Sequence, residues 1–436
     1  MRFDAVTTEG LLGVGQPRKF ILVPAGNSGD IHPFVWLGKG LASLGHEVVV
    51  VVHRPFDRTM EGAGLRTLAY GTDEDFEQII RHPDLWHPRR GFELIARVAP
   101  LMYSEIVPRM QAELAPGRTL LVAAGIAFGA RIAAEAFGAP LVTVQLQPVV
   151  FMSAIDPSVI GAGFEWFRLV PRWTRRALYW LGDLQSDRLL APGINAYREQ
   201  VGLRQPVRKI MRNYWNSPLQ VLALFPDWYG TKQADWPAQT VVTRFPLYDE
   251  SDQVAVPPDL ERFLTDGPPP VLFTPGSANI QARRFFEVGL EACRRRGFRG
   301  LFVTRYAEQL PSVLPPEVRH FAYVPFGQVF RRCAALVHHG GIGTVAQGLA
   351  AGVPQLVMAM SHDQPDNGFR LTRLGVGAYL YPKAFTPDRV AAALGRLTGS
   401  PEVARACRAC RELVEKQMPA EDVFRILEET HRRTCG

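Results

Sequence analysis

Cysteine is scarce in this chain of 436 residues: it has five thiols, an odd number scattered along the length. That pattern argues for reduced side chains rather than a disulfide framework. Cys407 and Cys410 form one CxxC, but it lies in the helical-looking stretch PEVARACRACRELVEK and lacks the second pair that a zinc site needs. A shared helix face explains the spacing better than metal or redox use. No run reaches the roughly 18 uninterrupted apolar residues of a membrane span; even 141–152 is broken by Gln145 and Gln147. The opening MRFDAVTTEGLLGVGQPRKF carries Asp4 and Glu9, with neither the basic start nor the apolar run of a secretion signal. A cytoplasmic location is therefore expected. Low-complexity segments are missing too, and 47% of residues are hydrophobic against 21% charged, so flexibility is expected only in an N-terminal extension over 1–18.

One hydrophobic core does not organise a chain of this length, so two domains of roughly 200 residues each are the default. The net charge of +7 raises nucleic acid as a partner, yet the arginines are spread along the chain and no nucleic-acid module is visible. An anionic small molecule accounts for the balance equally well, and no nucleic acid is expected. The densest basic and aromatic cluster, FEWFRLVPRWTRR at 164–176, suits three settings: a peripheral contact with the inner face of a membrane, the mouth of an apolar pocket, or a helix pair with solvated arginines.

Apolar runs alternate with helical periodicity in both halves. A strand over Phe20–Val23, a small-residue turn, a helix from Pro33 to Leu44 and a strand over Glu47–Val52 make a β-α-β unit, and Leu120–Val144 repeats it. Such near-continuous apolar strands belong to parallel sheets covered on both faces. Residues 19–243 are read as an N-terminal domain, with an irregular insertion over 153–217. Residues 244–270 are read as a linker, where Pro and acidic residues displace periodic apolar ones. Residues 271–436 form a C-terminal domain whose last helix is free to pack back on the first. There, strands over Val271–Thr274, Gly300–Thr304, His320–Val324, Ala335–His339 and Gln355–Met358 alternate with helices at 281–296, 344–351 and 364–374. The fold class is α/β: two Rossmann-like domains facing across a cleft, with strand ends and helix starts of each turned toward a shared ligand.

The strongest local signal is HHGGIGT, His338–Thr344, between a buried strand and a helix. Glycines there let backbone N–H groups approach a phosphate at the helix start; a tight turn needing positive φ is the plainer reading of the same glycines. After the next strand comes SHDQPDN, so Asp363 and Gln364 should project from the same sheet edge. A carboxylate beside an amide suits sugar hydroxyls, which donate and accept at once, although an Asp opening a helix also serves as an N-cap. Gly276 and Ser277 end the domain's first strand and offer another phosphate contact.

Residues 323–360 with the following HDQ resemble the donor-binding signature of UGT-like family 1 glycosyltransferases of the GT-B kind, and NSGDIHPFVWLGKGLASLGHEV resembles their acceptor-side opening. Within that family the N-terminal, acceptor-binding domain resembles the rhamnosyltransferases of rhamnolipid synthesis through HPDLWHP, PGINAYREQVGL, SPLQVLALFPDWY and QADWP, and the C-terminal domain does so through SHDQPDN. The resemblance implies a hexose moved with inversion from a nucleoside diphosphate sugar, dTDP-rhamnose or UDP-glucose, to a hydroxyl of a hydrophobic small molecule or lipid. It implies that His339, Gly341, Gly343 and Thr344 touch the diphosphate, Asp363 and Gln364 the sugar, and that Tyr323 stacks on the base while the Val324 backbone reads its edge. Gln347 stands where plant relatives use Glu on the ribose, which leaves the choice of UDP- or dTDP-linked donor open.

Many relatives carry Gly-His after the first strand as catalytic base, oriented by an Asp about a hundred residues on. Here Gly29 is followed by Asp30, and Ala123-Ala124 stand at the second place. The two losses agree: an imidazole base needs a carboxylate to fix its tautomer, and a carboxylate base does not. Asp30 is the expected base, with His32 as alternative and a capping role before Pro33 as the plainer reading. No DxD-like acidic pair is placed for a metal, and neither metal nor cofactor is expected. Arg244, where relatives usually have Gly, has no explanation in the sequence. A nicotinamide-dependent oxidoreductase fits poorly, because the first turn reads GNSGDIHP rather than GxGxxG and the second strand ends in His53-Arg54 without an acidic residue for a ribose. A non-catalytic sugar-nucleotide-binding module is disfavoured by the presence of both Asp30 and the HDQ motif.

Overall fold

The computed structural model describes residues 17–87, 90–249 and 254–435. All of the expected N-terminal extension except residues 17 and 18 lies outside them, as do parts of the HPDLWHP motif and of the expected linker. The first lobe runs β1 (Lys19–Val23), α1 (Ser28–Ser43), β2 (Glu47–His53), α2 (Asp57–Gly62), β3 (Arg66–Tyr70), α3 (Asp73–Arg81), α4 (Arg90–Glu113), β4 (Thr119–Ala124), α5 (Phe128–Phe137), β5 (Leu141–Gln145), α6 (Arg172–Gln200), β6 (Gln220–Ala223) and β7 (Thr240–Val242). The second runs α7 (Pro258–Thr265), β8 (Val271–Thr274), α8 (Arg283–Arg296), β9 (Gly300–Val303), β10 (Val318–Phe321), α9 (Phe326–Val329), β11 (Ala335–His338), α10 (Ile342–Ala351), β12 (Gln355–Met358), α11 (Gln364–Arg373), β13 (Gly377–Leu380), α12 (Pro387–Gly399), α13 (Pro401–Glu415) and α14 (Ala420–Cys435).

Both sheets are wholly parallel and doubly wound, ordered β3-β2-β1-β4-β5-β6-β7 and β10-β9-β8-β11-β12-β13. In each, strand order reverses once: between β1 and β4, with Ile21 opposite Leu121, and between β8 and β11, with Phe273 opposite Val337. Their strands read as unbroken apolar runs because both faces are covered; Val49 to Val52 and Leu120 to Val122 are completely buried.

Several boundaries differ from the sequence reading for identifiable reasons. Helix α1 starts at Ser28, five residues before Pro33, because Asp30 at its third position accepts a hydrogen bond from the Asn27 backbone N–H (2.9 Å) and closes the first turn. Pro33 therefore sits inside the helix, where it cannot donate to the carbonyl of Gly29. Helix α10 starts at Ile342 rather than Thr344, and β10 ends at Phe321 rather than Val324. The stretch 244–270 is not linker throughout. Leu260, Phe263 and Leu264, at i, i+3 and i+4, make the helix α7 and pack on Leu272 and Leu301 of the second lobe.

Helix α14 returns to the first lobe, where His46 meets Glu428 (2.8 Å), His431 meets the Arg118 carbonyl (2.7 Å), and the Phe424 ring packs tilted against Trp36 (centroids 5.0 Å). Arg244 braces this return, donating to the Met418 carbonyl (3.0 Å) with its guanidinium over the Trp36 ring. Cys407 and Cys410 share the buried face of α13, and burial pushes their thiols up to about 12 and about 11, so both are neutral packing groups. No helix among the described residues is long and apolar enough to cross a membrane.

Candidate active site

Ligands in doubly wound sheets bind beyond the carboxyl ends of the strands, where the order reverses. The loops at those two places are residues 24–27 after β1, leading into α1, and residues 339–341 after β11, leading into α10, with Gly276 and Ser277 after β8 alongside. The lobes set these loops against each other. A side-chain carbon on Gly343, in the first turn of α10, would lie 3.8 Å from the Cα of Gly29 in the first turn of α1. Two helix starts thus converge on one gap. Each brings unpaired N–H groups and the positive end of a helix dipole.

Asp30 and Asp363 face this gap from opposite lobes, close enough to repel. The gap wraps Asp30 on most sides, and the resulting desolvation raises its carboxyl to about 6 against the opposing pull of the Asn27 N–H. Asp363 rises to about 7, chiefly by burial and then by the charge of Asp30. Gly26 makes room for this arrangement. Its φ is +124°, and a side-chain carbon there would collide with the Asp30 carboxylate. Asp363 opens α11 but does not cap it; its carboxylate accepts from Asn367 Nδ2 (2.7 Å) and from the Ile342 N–H at the start of α10. The plainer capping reading therefore fails for Asp363. For Asp30 it holds in part, since one carboxylate oxygen closes the α1 turn.

The glycine-rich turn is set by histidine. His338 is fully buried; its Nδ1 accepts the Gly340 N–H (3.1 Å), which leaves Nε2 protonated to donate to Gln355 Oε1 (2.9 Å). Gly340 takes φ +94°, turning the chain back into α10. His339 fills the space over Gly276 and Gly341, where added side-chain carbons would meet its ring. Burial holds it neutral, with a pKa lowered to about 4, and its Nδ1 is buried without a partner. Gln364 is 2% exposed, and its Oε1 accepts the backbone N–H of Met360 (2.8 Å) and Ser361 (3.3 Å), so its amide NH2 is the group left for a ligand.

The remaining candidates lie on α10, in the turn after β8, in the loop before α9 and on α1. Thr344 and Gln347 lie one turn apart on α10, both half-buried, and Ser277 is exposed in the turn after β8. Tyr323 is half-buried in the loop between β10 and α9, beside Val324, whose side chain is buried in the second lobe's core. His32, two residues beyond Asp30, is turned roughly 200° around α1. It packs edge-on against Tyr248 (ring centroids 5.5 Å), and burial lowers it to about 4. His32 and Asp30 are thus not brought together.

Sequence reasoning missed a buried polar network that ties the lobes beside Asp363. Tyr229 of the first lobe donates to Asn367 Oδ1 (2.7 Å), and Asn367 Nδ2 donates both to Asp363 and to the Gly340 carbonyl (2.9 Å). Asp366 accepts the Val159 N–H (3.0 Å) and pairs with Arg370, which donates to the Tyr229 carbonyl (2.8 Å). His362, at φ +58°, reaches the Leu85 carbonyl (3.3 Å). The signal was present: Asp363 and Asn367 are spaced i, i+4 on a helix, and Tyr229 ends the SPLQVLALFPDWY motif.

Two doubly wound parallel sheets meeting with their reversal points across a cleft define the GT-B architecture. Solved structures agree. The glycosyltransferase of kitacinnamycin superposes with a TM-score of 0.70 at 20% identity, over 95% of this chain and 99% of that one. The spinosyn rhamnosyltransferase SpnG complexed with thymidine diphosphate superposes at 0.67 and 20%, over 94% and 100%. Residues 302–429 match the family described as erythromycin biosynthesis protein CIII-like, C-terminal domain. The O-mycaminosyltylonolide 6-deoxyallosyltransferase of Streptomyces fradiae is 28% identical over 94% of this chain and 97% of its own. The chain is a glycosyltransferase of the GT-B fold, similar to members of the UGT-like family 1.

Proposed function

We propose that the protein transfers a hexose, with inversion, from a nucleoside diphosphate sugar to a hydroxyl of an apolar small molecule or lipid, and that Asp30 is the general base. The observation that carries this is the opposed pair of carboxylates, Asp30 in the first turn of α1 and Asp363 bonded to the Ile342 N–H at the start of α10. Asp30, raised to about 6, is ionised at neutral pH yet basic enough to take an alcohol proton in the transition state. The unpaired N–H groups at the start of α10, the His339 ring and the Thr344 hydroxyl would receive the leaving diphosphate. Asp363 and the Gln364 amide would hold the sugar, Gln347 the ribose, and Tyr323 with the Val324 backbone the base.

A rhamnosyl donor carried on dTDP is favoured by the resemblance of the acceptor half and by the thymidine diphosphate bound to the spinosyn enzyme. UDP-glucose is the alternative. The name of the Streptomyces fradiae relative points to a natural-product acceptor for that enzyme, and the aromatic insertion between β5 and β6 supports an apolar acceptor here. An acceptor of that kind would be met at a membrane surface, and peripheral contact there belongs to the same proposal.

Thermal unfolding with dTDP, UDP and NAD tests the donor side, since a ligand at 100 times its Kd adds about 2.7 kcal/mol. A shift with dTDP or UDP and none with NAD is expected; a shift with NAD alone would remove the reading. A donor panel with mixed hydrophobic acceptors, read by mass spectrometry, tests transfer itself. Glycosylation of polar sugars or peptides only would remove the apolar acceptor.

A further inference from the structure

Eight of the thirteen large apolar side chains exposed among the described residues lie between 160 and 184. They include Leu169 (85% exposed) and Trp173 (72%) as well as Trp166, Trp180, Leu181 and Leu184. On α6 the positions 173, 177, 180, 181 and 184 return to one face of a 3.6-residue repeat. Exposed Arg172 and Arg176 flank that stripe on one side, and exposed Arg188 continues it one turn beyond Leu184. The acidic groups nearby are turned away: Asp183 is buried against Arg212, Asp187 accepts the backbone N–H groups of Lys209 and Ile210, and Glu165 accepts from Tyr381 of the second lobe.

The first turn of α6 contains no acidic residue, and its Pro171 cap provides no side-chain bond. Arginines placed at the positive end of a helix oppose its dipole, so the chain keeps positive charge where folding alone disfavours it. An exposed apolar stripe of this extent marks a docking surface. Tryptophan and leucine bordered by arginine match the boundary of an anionic bilayer, where the rings sit at headgroup level and guanidinium groups meet lipid phosphates.

We propose that the α6 stripe and the adjoining 160–169 loop dock the enzyme on an anionic lipid surface. Val159, the residue before that loop, is bonded through its N–H to Asp366, three residues from Asp363. The docking face therefore adjoins the wall of the cleft. The proposal deepens the reading of an apolar acceptor, on which it rests for its purpose, while its test needs neither donor nor acceptor.

The test is sedimentation of the full chain with vesicles of phosphatidylcholine alone and of phosphatidylcholine with phosphatidylglycerol. Binding to the anionic vesicles alone, weakened by salt, is expected. Each arginine contributes about fivefold to the partition, so Arg172→Glu with Arg176→Glu should lower it at least about 25-fold. Trp173→Ser with Leu181→Ser should lower it as well. Circular dichroism and the thermal shift with dTDP or UDP should be unchanged in these variants, which separates loss of docking from misfolding and from failure of the donor reading. Equal binding to both vesicle types, or undiminished binding by the arginine variant, would overturn the proposal. So would a dimer in light scattering that the Trp173→Ser variant dissolves, which would assign the face to a second copy of the chain.

Discussion

Replacing Asp30 by Asn should make the protein more stable and far less active. The folded-state carboxyl lies near 6 against an ordinary value of 3.8, a rise of about 2 units at about 1.4 kcal/mol each, so the ionised group costs the folded state about 3 kcal/mol at pH 8. Asn keeps an oxygen for the Asn27 N–H but gives up a negative charge at a helix start, worth up to about 1 kcal/mol. A net gain of about 2 kcal/mol remains, or about 5 °C in Tm for a lobe of this size. Because the folded pKa is above the unfolded one, the wild type takes up this proton first in the folded state and recovers stability as pH falls from about 7 to about 4. The gain in the variant should therefore be largest above pH 7 and vanish near pH 4.

Turnover should fall by about a hundredfold or more, on ordinary general-base contributions, while nucleotide affinity holds. In the wild type, kcat/KM should decline below about pH 6 with apparent values that belong to the Asp30 and Asp363 pair. Calorimetry at several pH values and steady-state kinetics check both arms. Near-normal turnover in Asp30→Asn would pass the role to His32, and a loss of stability at pH 8 would refute the electrostatic argument.

Other substitutions probe the same gap from its walls. Gly343→Ala adds a methyl 3.8 Å from the Gly29 Cα, an ordinary contact inside a helix, so stability should hold or rise by about 0.5–1 kcal/mol. Nucleotide affinity by calorimetry should still fall at least about tenfold, because the methyl occupies the approach to the first-turn N–H groups. Gly26→Ala strains a positive φ and drives the Asp30 carboxylate aside; its turnover should fall as in Asp30→Asn with nucleotide affinity kept. Tyr229→Phe leaves Asn367 Oδ1 buried without its donor, at about 1–3 kcal/mol in denaturant unfolding, and should raise the donor KM through a loosened Asp363.

Much of this architecture was legible because parallel strands buried on both faces announce themselves as apolar runs, as in 48–52 and 120–123, and because Gly340, Gly341 and Gly343 sit between such a run and a helix. Helix starts were less legible. Pro33 suggested a first helical position, whereas the helix is nucleated upstream by the Asn27–Asp30 pair, whose geometry spacing alone does not show. Helix α7 was hidden because its three apolar residues are diluted by Pro and acidic neighbours. The tie from Tyr229 through Asn367 to Asp363 was out of reach, since it joins residues 138 positions apart across two lobes. Arg244 likewise acquires a reason only when the C-terminal segment is seen returning over Trp36.

The pairing of Asp30 with Ala123-Ala124 yields a test of its own. Val23 at the end of β1 lies beside Ala123 at the end of β4, so the place where relatives keep an orienting carboxylate adjoins the turn that precedes Asp30. A carboxylate base needs no tautomer fixed, and here the Asn27 N–H already holds one Asp30 oxygen at 2.9 Å, so that the proposed mechanism would use the other for the alcohol. An imidazole at position 30 would find no such partner, because Asn27 provides a donor where the ring's own N–H needs an acceptor. Asp30→His should therefore be impaired by about a hundredfold or more. Adding Ala124→Asp, at a half-buried position on the neighbouring strand end, should recover at least about tenfold of that loss by holding the ring and stabilising its charge. Kinetics of the single and double variants decide the matter. Equal turnover in the two would mean that the base is oriented from elsewhere, and the link drawn between the missing carboxylate and the missing histidine would be broken.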